Sequence, residues 1–397
     1  MLTGRESEFR YLLHACLGGN IEPPVIDASF NWRLLREMAT RHRVDGLLWQ
    51  HLTANPEVGV SADFMEELDR SSRAQSFAYL AQLAETLRLS DLLKENGHPV
   101  ISLKGCGLGH QLYAPQPHVR QSQDIDLLVA QHNFAAAGDI LSREGYERTT
   151  PGSGMPQSAD SMARHLTNAF EFYHPVKRLK VELHHRLLLD PYLMPVPFQD
   201  LLARATVRRI GNGELHCLGP ADLPVYLCCH AADDAFFRLK WLADMGRLFD
   251  CSDADAIGGM MEHARLLGAT RHVLLTLMML EDLSGRPMPA LEAKVRQDLT
   301  RLAAQARWAI LREDRGAARY RFVDIPDDLR LLAYGIRLNQ VWRSRGFKVL
   351  RHLSNHDDMS TLKLGVEWRL LYALLGRPLA LRRWLGRTLT TRGTSPA

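Results

Sequence analysis

Asp124-Ile125-Asp126 opens the run Asp124-Ile-Asp-Leu-Leu-Val129, which polar residues bound on both sides and which reads as a β-strand. Alternation along a strand sends successive side chains to opposite faces, so both carboxylates point one way and Ile125 and Leu127 the other. Two carboxylates held side by side repel each other unless a cation sits between them. A Mg²⁺ site needs that arrangement, with phosphate oxygens and water completing the shell. Val181-Glu182-Leu183 repeats the logic, an acid between two apolar residues in a second short strand. A third carboxylate from a neighbouring strand would complete a two-metal site, where one ion activates an attacking hydroxyl and the other neutralises a leaving pyrophosphate. Lys104-Gly105 directly follows another β run, Val100-Ile-Ser-Leu103. Glycine lets backbone N–H groups approach a phosphate closely, and lysine adds a point charge. Arg120, four residues before Asp124, is within reach of the same phosphates.

Plainer readings stand beside these. Lys104 has the alternative of snorkelling at a turn, and Arg120 that of pairing with a nearby acid. His184 shares a strand face with Glu182 by period two, as a functional group or as a satisfied structural histidine. His230 and Asp244 lie fourteen residues apart, about four helical turns, and share a face only if one helix runs through both. Otherwise they anchor helices against the α/β unit. Cys228 and Cys229 read as core thiols, and His184, His185 and His230 lack a zinc spacing. His356-Asp357 has the look of a phosphohydrolase His-Asp pair, but no ordered partners surround it.

The elements that must position these groups fall into three segments: helical 1–97, α/β 98–218 and helical 219–397. In the first, Trp32, Leu35 and Met38 share a helical face. Ser61 is the expected N-cap of an amphipathic run to about Asn96, with Phe64, Met65, Leu68, Phe77, Leu80, Leu83, Leu87 and Leu92 at its apolar positions. A break into two helices is expected at Ser71-Ser72, and Asn96-Gly97-His98-Pro99 stops the run. In the centre, a helix is expected over Phe134–Glu144 and a loop over Thr149–Ser158. Strands at Phe170–Tyr173 and Leu179–His184 flank a hairpin turn at His174-Pro175. Helical spacing returns at Leu223–Cys229, Phe237–Phe249, Met260–Leu283 and Leu299–Leu311. The expected fold is α+β, a small mixed sheet with an α/β core embedded in a mostly helical chain.

The 397 residues, 46% apolar and 24% charged, supply a sizeable core and exclude disordered, collagen-like and disulfide-scaffold classes. A net charge of +4 is too weak to imply nucleic acid, and none is expected as a partner. Six cysteines without a CxxC pair read as reduced thiols of a cytoplasmic protein. Arg5, Glu6, Glu8 and Arg10 break up the first residues, which excludes a signal peptide there, and no uncharged apolar run reaches spanning length. From 363 to 397, seven basic residues face one acid, Glu367. This is read as a solvated face, with an anionic partner or membrane surface as the alternative.

Leu103-Lys104-Gly105, Leu112-Tyr113 and Arg120-x-x-x-Asp124-Ile-Asp-Leu-Leu-Val together resemble the signature of a largely uncharacterised bacterial nucleotidyltransferase family in the DNA polymerase β-like superfamily. The resemblance continues through Arg43-Val44-Asp45-Gly46, Val181-Glu182-Leu183-His184, His230, Arg238-Leu239-Lys240-Trp241-Leu242-Ala243-Asp244 and Arg377-Pro378-Leu379. It implies that Asp124, Asp126 and Glu182 ligate two Mg²⁺ ions and that Lys104 and Gly105 hold an NTP, ATP included. Gly105-Cys106 departs from the superfamily's usual Gly-Ser or Gly-Gly pair. The implied activity moves a nucleoside monophosphate to a hydroxyl or phosphate of a small-molecule, glycan or peptide acceptor. His184 and His230 are candidates for the acceptor side. The rivals are a non-catalytic nucleotide-binding scaffold and a γ-phosphotransferase using the same metal site.

Overall fold

The computed structural model describes residues 6–152, 157–250, 254–288, 292–312 and 325–354, with short pieces between 362 and 375. Cys251, His356-Asp357, Arg377-Pro378-Leu379 and the seven basic residues of the C-terminal stretch lie outside the described residues.

Four helices lead in: α1 (Glu6–Leu17), α2 (Trp32–His42), α3 (Asp45–Ala54) and α4 (Ala62–Glu95). Asn31 caps α2 by accepting the Leu34 N–H at 2.9 Å, and Ser61 caps α4 by accepting that of Phe64 at 3.4 Å. The expected break at Ser71-Ser72 does not occur: α4 is one helix of 34 residues. Its first turns bury Phe64 and Leu68 and its last turns bury Leu89 and Leu93, so both ends are held by packing while serine in mid-helix is tolerated. Between them Phe77 and Leu80 are 75% and 58% exposed, contrary to their apolar spacing.

The centre holds β1 (Val100–Ser102), α5 (Gly105–Tyr113), β2 (Ile125–Val129), α6 (Phe134–Arg143), β3 (Glu147–Thr150), α7 (Gln157–Leu166), β4 (Ala169–His174), β5 (Leu179–His184), α8 (Phe198–Ala203), β6 (Thr206–Ile210) and β7 (Gly213–Cys217). The strands form one seven-stranded mixed sheet in the order β3-β4-β5-β2-β1-β7-β6. β2 runs parallel to β5 and β1 parallel to β7, and the other neighbours are antiparallel. Several elements depart from expectation. β3 and the start of α7 lie in the stretch read as a loop, β6 and β7 add a hairpin, and a helix starts at Gly105 where only a turn is expected.

After the sheet come α9 (Asp222–Asp233), α10 (Leu239–Asp250), α11 (Ala254–Leu266), α12 (Thr270–Ser284), α13 (Ala293–Leu311), α14 (Ile325–Leu338) and α15 (Trp342–Leu353). The run Met260–Leu283 is two helices, because Gly268 takes φ +69° between α11 and α12. His230 and Asp244 do not share one helix either: Ala235 and Phe236, both at positive φ, turn the chain between α9 and α10.

Two cores sandwich the sheet. Ile125, Leu127 and Val129 of β2 pack with Phe134 and Leu141 of α6. Leu128 faces the other way, into a larger core that joins Leu12, Leu35 and Leu48 to Tyr226, Val273 and Leu302. Asp126 shares that second face by alternation, so the carboxylates open toward α9 and α10 rather than toward α6. No helix among the described residues is long and apolar enough to cross a membrane.

Gly46 sets how closely α3 approaches the turn that carries Arg120. A Cβ there would lie 2.5 Å from the Val119 carbonyl oxygen. Gly46→Ala forces backbone apart and is expected to cost about 1–3 kcal/mol. Urea denaturation checks this, and an unchanged midpoint would refute the close approach.

Candidate active site

Strand pairing assembles the acids. β2 and β5 pair Asp126 with Glu182 and Leu128 with His184, while β4 and β5 pair Glu171 with Glu182. Directly opposed residues share a sheet face, so Asp126, Glu182 and Glu171 form a row across three strands. Asp124, just before β2, stands two residues from Asp126 and on the same side. Ligand atoms of Asp126, Glu182 and His184 all lie within 4.8 Å of one another, a group able to hold a metal ion.

Two lysines sit among the carboxylates. Lys104 Nζ is 3.2 Å from Asp126 Oδ1. Lys180 Nζ is 2.9 Å from Glu182 Oε1, 3.4 Å from Asp124 Oδ2 and 3.7 Å from Glu171 Oε1. Burial alone would raise the pKa of Asp126, but Lys104 and a hydrogen bond from His184 hold it below the usual carboxylate range. Glu182 is likewise buried, yet the His184 hydrogen bond and the charges of Lys104 and Lys180 keep it well below its ordinary value. Asp124 goes the other way: burial first, and then its neighbours Asp126 and Glu182, push it up to about 6.

His184 is buried at 2% exposure, and its Nε2 lies 3.1 Å from Asp126 Oδ1. Asn168 Nδ2 reaches its other nitrogen at 3.2 Å. Burial opposes charge on the ring, but the hydrogen bonds to Asp126 and Glu182 outweigh it and raise the pKa. The ring thereby fixes the orientation of Asp126.

Lys104 ends the β1 connection and Gly105 starts α5 at φ +60°, a conformation glycine adopts without strain. Burial pushes the Cys106 thiol up to about 12, so the departure from Gly-Ser introduces no nucleophile. Arg120 takes its plainer reading: Nε and Nη2 each donate to Asp244 at 2.9 Å, and Nη1 reaches the Gly105 carbonyl at 3.4 Å. Tyr113 Oη also donates to Asp244, at 2.8 Å. Asp244 therefore belongs with Arg120, not with His230. His230 stands in an aromatic box, stacked on Tyr226 and edge-on to Trp241 at 5.0 Å.

Two cavities meet at this cluster. One of about 150 Å³ is lined by Asp124, Asp126, Arg43, Arg120, Ser122 and Lys240. The other, of about 330 Å³, is lined by Asn168, His184, Tyr226, Asp233, Asp234 and Lys348. Lys104, Glu182 and His230 border both.

Several of these groups escaped the sequence reading. Lys180 was within reach, since it lies two residues before Glu182 and so shares its face. Glu171 follows from the hairpin register once the turn at His174 is placed. Arg43 and Lys240 stand in stretches that carry the resemblance, but neither they nor Asn168 left a local signal of a place in this cavity, because each arrives from a separate segment.

Comparison with curated proteins finds no match to this chain. Residues 28–285, which include the whole sheet and the helices α9 and α10 but not α14 and α15 beside the larger cavity, match a family described as an uncharacterised nucleotidyltransferase. The matched stretch is more than half of the chain and carries Lys104, Asp124, Asp126 and Glu182, so the protein is a member of that uncharacterised nucleotidyltransferase family.

Proposed function

We propose that the protein transfers a nucleoside monophosphate from an NTP to a hydroxyl or phosphate of a small-molecule, glycan or peptide acceptor. The observation that carries this reading is the aligned set Asp124, Asp126 and Glu182, balanced by Lys104 and Lys180 and placed where two cavities meet. Asp124, Asp126 and Glu182 stand close enough to repel one another, and their donors are oxygens, which suits a hard divalent ion. Asp124, Asp126 and Glu182 would hold Mg²⁺, two ions in the fullest form. Bound there, Mg²⁺ offsets phosphate charge and acidifies an attacking hydroxyl.

The chain's own groups do the rest. Lys104, held by Asp126, presents an ammonium where the transferred phosphate must lie. His184 keeps Asp126 in one rotamer. Asp126 and Glu182 remain anionic through the neutral range, the form in which either accepts the acceptor's proton. Gly105, buried and at φ +60°, turns the chain into α5 directly behind Lys104. A scaffold without catalysis has no use for mutually repelling acids, which favours an enzyme.

Isotopic labelling tests the reading. With Mg²⁺ and each NTP in turn, supplied with an extract of small molecules as acceptor source, α-phosphate label is expected in the product and γ-phosphate label in pyrophosphate. Movement of γ-label onto the acceptor would make the protein a phosphotransferase. If an NTP at about 100 times its Kd supplies the stabilisation of about 2.7 kcal/mol that saturation brings but none turns over, the nucleotide-binding scaffold takes its place.

A further inference from the structure

The smaller cavity holds one buried ammonium that no carboxylate pairs with among the described residues. Lys104 is matched by Asp126, and Arg120 by Asp244. Lys240 is not matched. It is only 9% exposed, and its one hydrogen bond among the described residues runs from Nζ to the Gln121 carbonyl at 3.3 Å. No carboxylate lies within ion-pair distance of it among those residues. Burial, and then the charges of Arg120 and Arg43, bring its pKa down to about 7. A lysine out of water is ordinarily paired or snorkels to the surface, and this one does neither.

Arg43 supplies an independent observation. It closes α2 in the left-handed region, φ 58° and ψ 44°, with its N–H bonded to Ala39 and Thr40 carbonyls. Glycine or asparagine is the usual residue at such a cap, because a larger side chain is strained there. Strained backbone and an unbalanced ammonium thus border the same 150 Å³ cavity, beside Asp124 and Asp126. An anion would compensate the ammonium, and the strained cap is a cost that placing Arg43 at this cavity accounts for.

Building on the nucleotidyl-transfer reading, we infer that Lys240 and Arg43 seat the polyphosphate tail of the NTP, and that the acceptor enters through the larger cavity. The α-phosphate then lies at Asp124, Asp126 and Glu182, between the two cavities. In the transfer, the acceptor oxygen bonds to the α-phosphorus as the α–β bridging bond breaks. The bond's electron pair leaves with pyrophosphate, and the acceptor proton passes to a site carboxylate. Lys240 and Arg43 hold the charge that grows on the departing pyrophosphate. The arrangement predicts a donor with a polyphosphate tail, since a nucleoside monophosphate leaves this end of the cavity empty.

Thermal melting in EDTA, with inorganic tripolyphosphate as the probe, tests the seat without base, sugar or metal. Wild type is expected to be stabilised. Lys240→Met and Arg43→Gly should melt at or above wild type without the probe, since each removes an unfavourable feature. Both should bind the probe about tenfold more weakly, the loss of one charge-assisted hydrogen bond. Lys240→Arg should retain binding. Lower melting of Lys240→Met with an unchanged probe shift would make Lys240 structural and overturn the inference, as would a wild type insensitive to tripolyphosphate. Mg²⁺–NTP in parallel separates the two proposals. If it binds Lys240→Met as it binds wild type, the seat fails and the transfer reading stands. If the probe effects appear but α-label is never transferred, the seat stands and the transfer reading fails.

Discussion

Asp126→Asn is expected to lower nucleotidyl transfer by about three orders of magnitude or more while leaving the fold intact. Asparagine keeps the shape of the side chain and one acceptor oxygen, so His184 retains a partner at the 3.1 Å contact. The charge is what disappears. Lys104 loses the anion 3.2 Å away that holds it in place, and any cation at the site loses one of its oxygen donors. Stability should change little, because the loss suffered by Lys104 is offset by weaker repulsion at Asp124, whose pKa Asp126 helps to raise. Single-turnover transfer of α-label, with circular dichroism as the check on folding, measures both halves. Transfer within tenfold of wild type would remove Asp126 from the metal-binding set. A large loss of stability would instead show that Asp126 is structural cement for Lys104.

Asp244→Ala is expected to be the most destabilising single substitution near the site, by about 3–5 kcal/mol. Both of its oxygens are used: Oδ1 accepts from Arg120 Nε and Tyr113 Oη, and Oδ2 accepts from Arg120 Nη2. Arg120 and Asp244 are 5% and 1% exposed, so alanine leaves a guanidinium in the interior with no anion. The second charge is the decisive part of that penalty. Arg120→Met together with Asp244→Ala should therefore lie much closer to wild type in urea denaturation than Asp244→Ala alone. Additive losses in the double variant would refute the pairing. The same ion pair ties α10 to the turn before β2, so Asp244→Ala should also disturb Lys240, one helical turn away, and weaken tripolyphosphate binding.

Much of this site was legible in the residues themselves. Alternation in Asp124-Ile-Asp and Val181-Glu-Leu-His identified strands and the side on which their acids stand. Lys104-Gly105 after a β run marked a turn suited to phosphate. Some legible features were passed over. Gly211-Asn212 between Thr206–Ile210 and Gly213–Cys217 is a two-residue hairpin signal, and β6 and β7 meet there. Others misled: the apolar spacing of Phe77 and Leu80 fits a buried helix face, yet that part of α4 is exposed. Periodicity reports which residues share a face, not whether anything covers it.

The sequence by itself determined the local devices: the strand alternation that aligns Asp124 with Asp126, the hairpin that carries Glu171 beside Glu182, the glycine that turns the chain at Lys104, and the caps of α2 and α4. Each depends on residues a few positions apart, whose geometry follows from backbone dihedrals. Only the tertiary structure decided that β2 lies parallel to β5 in the register that opposes Asp126 to Glu182. It alone matched Arg120 to Asp244, 124 residues on, and brought Arg43 and Lys240 to one cavity. Such contacts join segments whose separation in the chain carries no periodic signal. They are chosen by which burial of apolar faces, and which pairing of the charges caught between them, the whole chain can satisfy together.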